Sequence, residues 1–209
     1  MKIIPRYCLI ILLYVLIILF LEKILKIQEM SYSNLAERLT RTQLKEMFDL
    51  QDKTKLINYV IFPLFILLKT LIIASIIYIG SFFYSKNEIA FKNIWSIVIS
   101  AEFIFLLVPI FKIIWFYFFQ TNYTLEDLQY FYPISAINIT GYKGLEPWLI
   151  YPLQTLNLFE LAYIIYLAYQ IGTLTKTNAD TGLKIVAFSY VPALLLWVTV
   201  VMFFTLNYS

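Results

Sequence analysis

The stretch Leu56–Phe83, LINYVIFPLFILLKTLIIASIIYIGSFF, decides the fold, and Lys69 is the one charged residue within it. The hydrocarbon core of a bilayer is ~30 Å thick and needs roughly 20 apolar helical residues to cross it. This run is therefore read as a membrane-spanning helix. A charge at its centre costs at least ~2.5–3.5 kcal/mol on insertion scales, so Lys69 must face a partner or a wet cavity.

Outward from this run lie four more apolar stretches: Tyr7–Leu21, Ile94–Phe119, Trp148–Gly172, and residues 184–206. The expected fold is all-α, a polytopic membrane helical bundle of about five transmembrane helices forming one domain over residues 1–209. The first stretch follows Lys2 and Arg6 as a signal sequence would, but Phe20–Ile24 has no small residue for cleavage. It is read as an uncleaved span. The spans 56–83 and 94–119 are joined by Ser85–Glu88 as a hairpin, and Pro63 and Pro109 should bend them.

Two segments between the spans carry helix signals of their own. In residues 28–54, Leu35, Leu39, Leu44, Met47, Phe48 and Leu50 recur at helical spacing among Glu37, Arg38, Arg41, Lys45, Glu46 and Asp49. The pattern is amphipathic, with a break near Thr40–Thr42. Thr124-Leu125-Glu126-Asp127 fits a capping-box start for an interfacial helix over about 124–132, stopped by Pro133. A turn through Gly141 and Gly144 then leads to Pro147.

Composition excludes several function classes. Hydrophobic residues are 61% and charged residues 14%, against roughly 45–50% and about 25% in soluble proteins. A net charge of +3, dispersed along the chain, does not suit nucleic acid. The single Cys8 permits no intrachain disulfide. With no histidine, the commonest general base and metal ligand is missing. No Gly-rich phosphate loop, zinc pair, Gly-x-Ser-x-Gly elbow or Ser/His or Cys/His couple occurs. The expectation is a non-enzyme with no catalytic residue, cofactor or metal. Trp95, Trp115, Trp148 and Tyr151 suit the interfacial aromatic belt.

Six intramembrane polar residues remain as the candidate site: Lys69, Glu102, Lys112, Gln154, Asn157 and Glu160. Lys69 and Glu160 lie at the midpoints of their runs and match in depth. Glu102 and Lys112 fall ~7–8 Å to either side of theirs, at 1.5 Å per residue. Gln154, Asn157 and Glu160 follow one another at steps of three, which on a continuous helix makes a slowly drifting polar stripe. A pair between Lys69 and either Glu160 or Glu102 would remove the cost of lone charges and fix which helices pack together. Lys112 can snorkel. Two carboxylates with Gln154 and Asn157 are too few for a hard-cation site.

From Leu153 onward the chain resembles the last two helices of the Yip-domain family of small five-helix membrane proteins. The residues carrying the likeness are Leu153-Gln154-Thr155-Leu156-Asn157-Leu158-Phe159-Glu160 and Leu167-Ala168-Tyr169-Gln170-Ile171-Gly172, followed by a final apolar helix through Pro192. The early helix and the Leu39-Thr40-Arg41-Thr42-Gln43-Leu44 stretch agree in outline. Eukaryotic members resemble trafficking factors acting with small GTPases, but their Asp-Leu-Tyr-Gly-Pro motif is absent here. The resemblance therefore implies a prokaryotic member in the inner membrane, without the GTPase role and without any transferred site residue.

The functional expectation is an accessory or scaffold subunit of a larger membrane assembly, in contact with membrane lipid and with other membrane protein subunits. The alternative is a small permease component with a path lined by Lys69, Glu102, Asn157 and Glu160. For five spans, basic residues divide eight against six between the two sides, which leaves the orientation open.

Overall fold

A computed structural model of the chain describes residues 3–36, 39–84 and 89–208. Lys2, Glu37, Arg38, the Ser85–Glu88 linker and the side chains of Lys55 and Leu56 lie outside the described residues. Among the described residues the regular elements are all helical. Among the described residues four segments are long and apolar enough to cross a membrane: Ile3–Ile24, Tyr59–Phe82, Phe91–Phe119 and Ala179–Tyr208. A fifth apolar helix, Leu158–Leu174, has 17 residues.

Helix α1 (Ile3–Ile24) is followed by the short α2 (Ile27–Ala36). Helix α3 (Arg41–Phe82) then runs 42 residues without interruption. At 1.5 Å per residue it is about 63 Å long, twice the bilayer core. The second half of the amphipathic segment and the membrane run are therefore one continuous helix, with Pro63 inside it. Residues Gln43–Lys55 hold no glycine or proline, so the fall in polarity at Leu56 is no reason for the backbone to stop. The break does fall at Thr40, where the Thr40 N–H donates to Gln43 Oε1 at 3.0 Å and closes a capping box.

The third run is irregular. Helix α4 (Phe91–Ala101) passes into a 3-10 turn over Glu102–Leu106, then α5 (Leu107–Ile114) and a π-helical turn, Trp115–Phe119. Pro109 has no N–H for the Phe105 carbonyl four residues back, and its ring crowds that oxygen. The tightening just before it has that cause. Two short helices follow, α6 (Leu125–Tyr130) and α7 (Ile137–Thr140).

The fourth apolar run is two helices. Helix α8 (Pro147–Thr155) ends at Leu156, and α9 (Leu158–Leu174) begins after Asn157. The expected stripe of Gln154, Asn157 and Glu160 on one continuous helix is thereby corrected, because Asn157 is the N-cap of α9 and its Oδ1 accepts from the Glu160 N–H at 2.8 Å. Backbone groups freed by the break are bonded from outside: Ala136 N–H donates to Leu156 O (2.9 Å) and Leu158 N–H donates to Ile134 O (3.1 Å). Irregular backbone at membrane depth is tolerated where protein satisfies it in this way. Ile134 takes φ +51°, a strained value for a β-branched residue, to hold this pairing.

Helix α10 (Ala179–Tyr208) packs against α9, α3 and α8, while α4 packs against α3 and α9. Ala74, Ile77, Ile94, Val98, Leu167, Ile171, Ile185 and Val186 form the central core. Small residues let α9 and α10 touch through backbone: a Cβ on Gly182 would stand 1.9 Å from Ala168 O, and one on Gly172 2.5 Å from Asn178 O. The turn between them is a Schellman closure with Lys176 in the left-handed region at φ +56°, and Thr177 N–H donating to Gly172 O. Helix α1 joins the periphery through Ile3 and Ile10 against Ile99, and Leu25, just after its C-terminus, packs with Phe116 and Leu128.

Candidate functional site

Three of the six candidates tie off helix ends. Lys112, on α5, donates its ammonium to Leu128 O, a carbonyl in the last turn of α6. Gln154 Nε2 donates to Tyr130 O in the same turn at 2.9 Å. A cation beside the exposed carbonyls of a helix C-terminus is favoured by the helix dipole as well as by the hydrogen bond. Asn157 caps α9, and its Nδ2 donates to Gln154 O and Thr155 O. The side chains that would have lined a stripe instead hold α6, α8 and α9 in register.

The other three stand close together in the bundle. Lys69 Nζ lies 2.9 Å from Glu102 Oε2, joining α3 to the head of the 3-10 turn. The two partners differ in environment: the Glu102 side chain is 1% exposed and that of Lys69 33%. The Lys69 ammonium also sits 4.4 Å from the ring centroid of Phe105, an arrangement in which the ring quadrupole adds attraction. Tyr163, on α9 and fully buried, donates its hydroxyl to Glu102 Oε1 at 3.3 Å. Both oxygens of Glu102 thus have partners. Of the two carboxylates offered to Lys69 by depth, the geometry selects Glu102.

Glu160 has a different partner. Tyr190, on α10, donates its hydroxyl to Glu160 Oε1 at 2.5 Å. Glu160 is the third residue of α9, so its carboxylate also lies at the positive end of that helix. The rings of Tyr163 and Tyr190 are 5.5 Å apart, which brings the two carboxylate sites side by side across α9 and α10.

Tyr163, Tyr190 and Phe105 were not among the sequence candidates. Their signal was available, since a tyrosine inside an apolar run carries a hydroxyl that needs a partner when buried. Seventeen tyrosines in one chain dilute that signal. Further polar ties surround the network: Trp95 Nε1 donates to Thr70 Oγ1 (3.2 Å), Arg6 Nη1 to Ser100 Oγ (3.0 Å), and the Tyr7 hydroxyl to Pro63 O.

Outside the spans, Asp127 accepts from the Tyr142 hydroxyl (2.7 Å) and from Thr124 N–H (2.8 Å). Burial pushes the Asp127 carboxyl up, but the hydrogen bonds from Tyr142 and Thr124 and the charge of Lys143 outweigh it and hold the group below its ordinary value. The same bond to Asp127 is the largest cause pushing Tyr142 up, to about 12.

Among the described residues no group of three or more cysteine, aspartate or glutamate side chains comes together in a way that could hold a metal ion. In comparisons with known proteins, no family model matches this chain. No curated protein and no solved structure matches it either.

Proposed function

We propose that this chain is a non-enzymatic integral membrane protein that serves as an accessory or scaffold subunit of a larger membrane assembly. One observation carries the reading: each of the six intramembrane polar candidates makes an internal bond, to a side chain or to a helix end. Groups engaged in this way hold helices together and do not stand ready as acid, base or nucleophile. Apolar side chains such as Leu12, Leu16 and Phe20 on α1, and Leu195 and Leu196 on α10, face outward, where lipid or the helices of another subunit would meet them. Five spans, with α9 as the fourth, a Yip-like arrangement, and a bacterial inner-membrane location belong to the same reading. Purification in mild detergent with mass spectrometry of co-purifying chains tests it. A defined partner at fixed stoichiometry is expected, and a solitary monomer across several detergents would contradict it.

A small permease component is the second reading. It is favoured by the asymmetry of the Lys69–Glu102 pair, in which the lysine keeps a third of its side chain exposed beside a sealed carboxylate. Flux of an ion or solute into reconstituted vesicles that vanishes in Glu102→Gln while folding is retained would establish it over the scaffold reading.

A further inference from the structure

A cleft of about 470 Å³ opens where the end of the third span meets α6 and α7. That volume lies within the ~300–1,000 Å³ range of small-ligand sites. Its floor and walls are aromatic, with Trp115, Tyr130, Phe131 and Tyr142 among the lining residues, and Asp127 is the one ionisable carboxylate in the lining. Trp115 stacks on Phe131 at 5.4 Å and Tyr130 lies 5.0 Å from Tyr142, so the rings brace one another. Phe111, Ile134 and Ile137 add apolar lining beside the rings.

We propose that this cleft binds the headgroup of a zwitterionic, amine-bearing phospholipid, with the acyl chains leaving along its apolar side. Asp127 and the surrounding ring faces recognise the ammonium, because a cation over aromatic rings beside a fixed anion is attracted by both. The carboxylate is ionised at neutral pH, consistent with the bonds that lower its pKa. Lys143, exposed and near enough for its charge to act on Asp127, supplies the opposite charge for the phosphate. The position suits a lipid and not a soluble amine: the lining residues Trp115 and Gln120 stand at the end of a span, with Trp115 Nε1 donating to Gln120 Oε1 at 3.1 Å. Trp115 also opens the π-helical turn Trp115–Phe119, and such turns recur at functional sites.

Native mass spectrometry of the full chain in mild detergent, titrated with equimolar phosphatidylethanolamine and phosphatidylglycerol, tests this directly. The wild type should retain one phosphatidylethanolamine in preference to phosphatidylglycerol by about tenfold. Asp127→Asn should abolish the preference. Because Asp127 also closes the cap of α6, Lys143→Glu serves as the second variant: it changes an exposed side chain, should keep the melting temperature, and should weaken retention. Free ethanolamine at millimolar concentration should not displace the lipid. Equal retention of the two lipids by the wild type would overturn the proposal, as would unchanged preference in both variants. Displacement by free ethanolamine would overturn it too, since the site would then belong to a soluble amine.

Discussion

Glu102 and Glu160 lie side by side in the same bundle and meet the cost of a buried carboxylate in different ways. Glu102 is sealed from its surroundings and relies on a cation from another helix, with Tyr163 on its second oxygen. Glu160 is half-buried, sits in the first turn of its own helix, and takes one strong hydrogen bond from Tyr190. The first solution ties together segments 33 residues apart in sequence and fails if either charge is removed. The second draws much of its support from the local helix end and from a neutral donor. Distant charge pairing defines which helices pack, whereas helix-end placement tolerates change. The bundle uses one of each.

The comparison breaks most visibly at Lys69. Lys69→Met leaves Glu102 sealed without a cation, and the expected loss is about 3–5 kcal/mol of unfolding free energy in mixed micelles. Glu102→Leu should cost less, since a third of the Lys69 side chain is exposed and its ammonium keeps the Phe105 ring, although the charge then lacks its anion near the middle of the span. Equal losses for the two would mean that both charges are equally enclosed.

A smaller effect is expected at the second carboxylate. Tyr190→Phe removes the donor to Glu160 and should cost about 1–3 kcal/mol, the range for leaving one buried polar group unpaired. The same measurement on Tyr163→Phe sharpens the contrast, since Glu102 would still hold Lys69 and the loss should be smaller. A greater loss at Tyr163 than at Tyr190 would reverse the assignment of which carboxylate depends on its tyrosine.

The smallest expected effect concerns a third carboxylate, outside the candidate spans. Asp127 is held below its ordinary value, so it contributes stability that is present above the unfolded-state carboxyl value near ~3.9 and is lost as pH falls through the lower folded value. Tyr142 is pushed up to about 12, so its contribution is complete below ~10 and is lost as pH rises through its folded value. Stability measured against pH should show both limbs in the wild type, and Tyr142→Phe should remove the alkaline one. An unchanged alkaline limb in that variant would assign it to other tyrosines.

The helical, membrane-spanning character was legible because uninterrupted apolar runs admit few other structures. Thr124 and Asp127, three residues apart before a short apolar pattern, marked a helix start that the structure contains. The join between the amphipathic segment and the second span was not legible, since polarity changes at Leu56 while helix propensity does not. The break at Asn157 was hidden for the opposite reason. Polar residues at steps of three fit a helical stripe as well as they fit a cap, and the segment that stabilises the break, Ile134–Ala136, lies some twenty residues away. Depth along the membrane normal left Lys69 with two acceptable partners. Rotation about the α4 and α9 axes chose between them, and that rotation follows from packing that no single run encodes.

The central claim is that the intramembrane charges are internal ties, with Lys69 bound to Glu102. A double-mutant cycle on unfolding free energy in mixed micelles tests it most directly, using Lys69→Met with Glu102→Leu beside Lys69→Met with Glu160→Leu. The first double variant should recover much of the loss caused by Lys69→Met alone, with a coupling of about 2 kcal/mol or more, and the second should be additive to within ~0.5 kcal/mol. Additive losses in both cycles, or recovery only with Glu160→Leu, would contradict it.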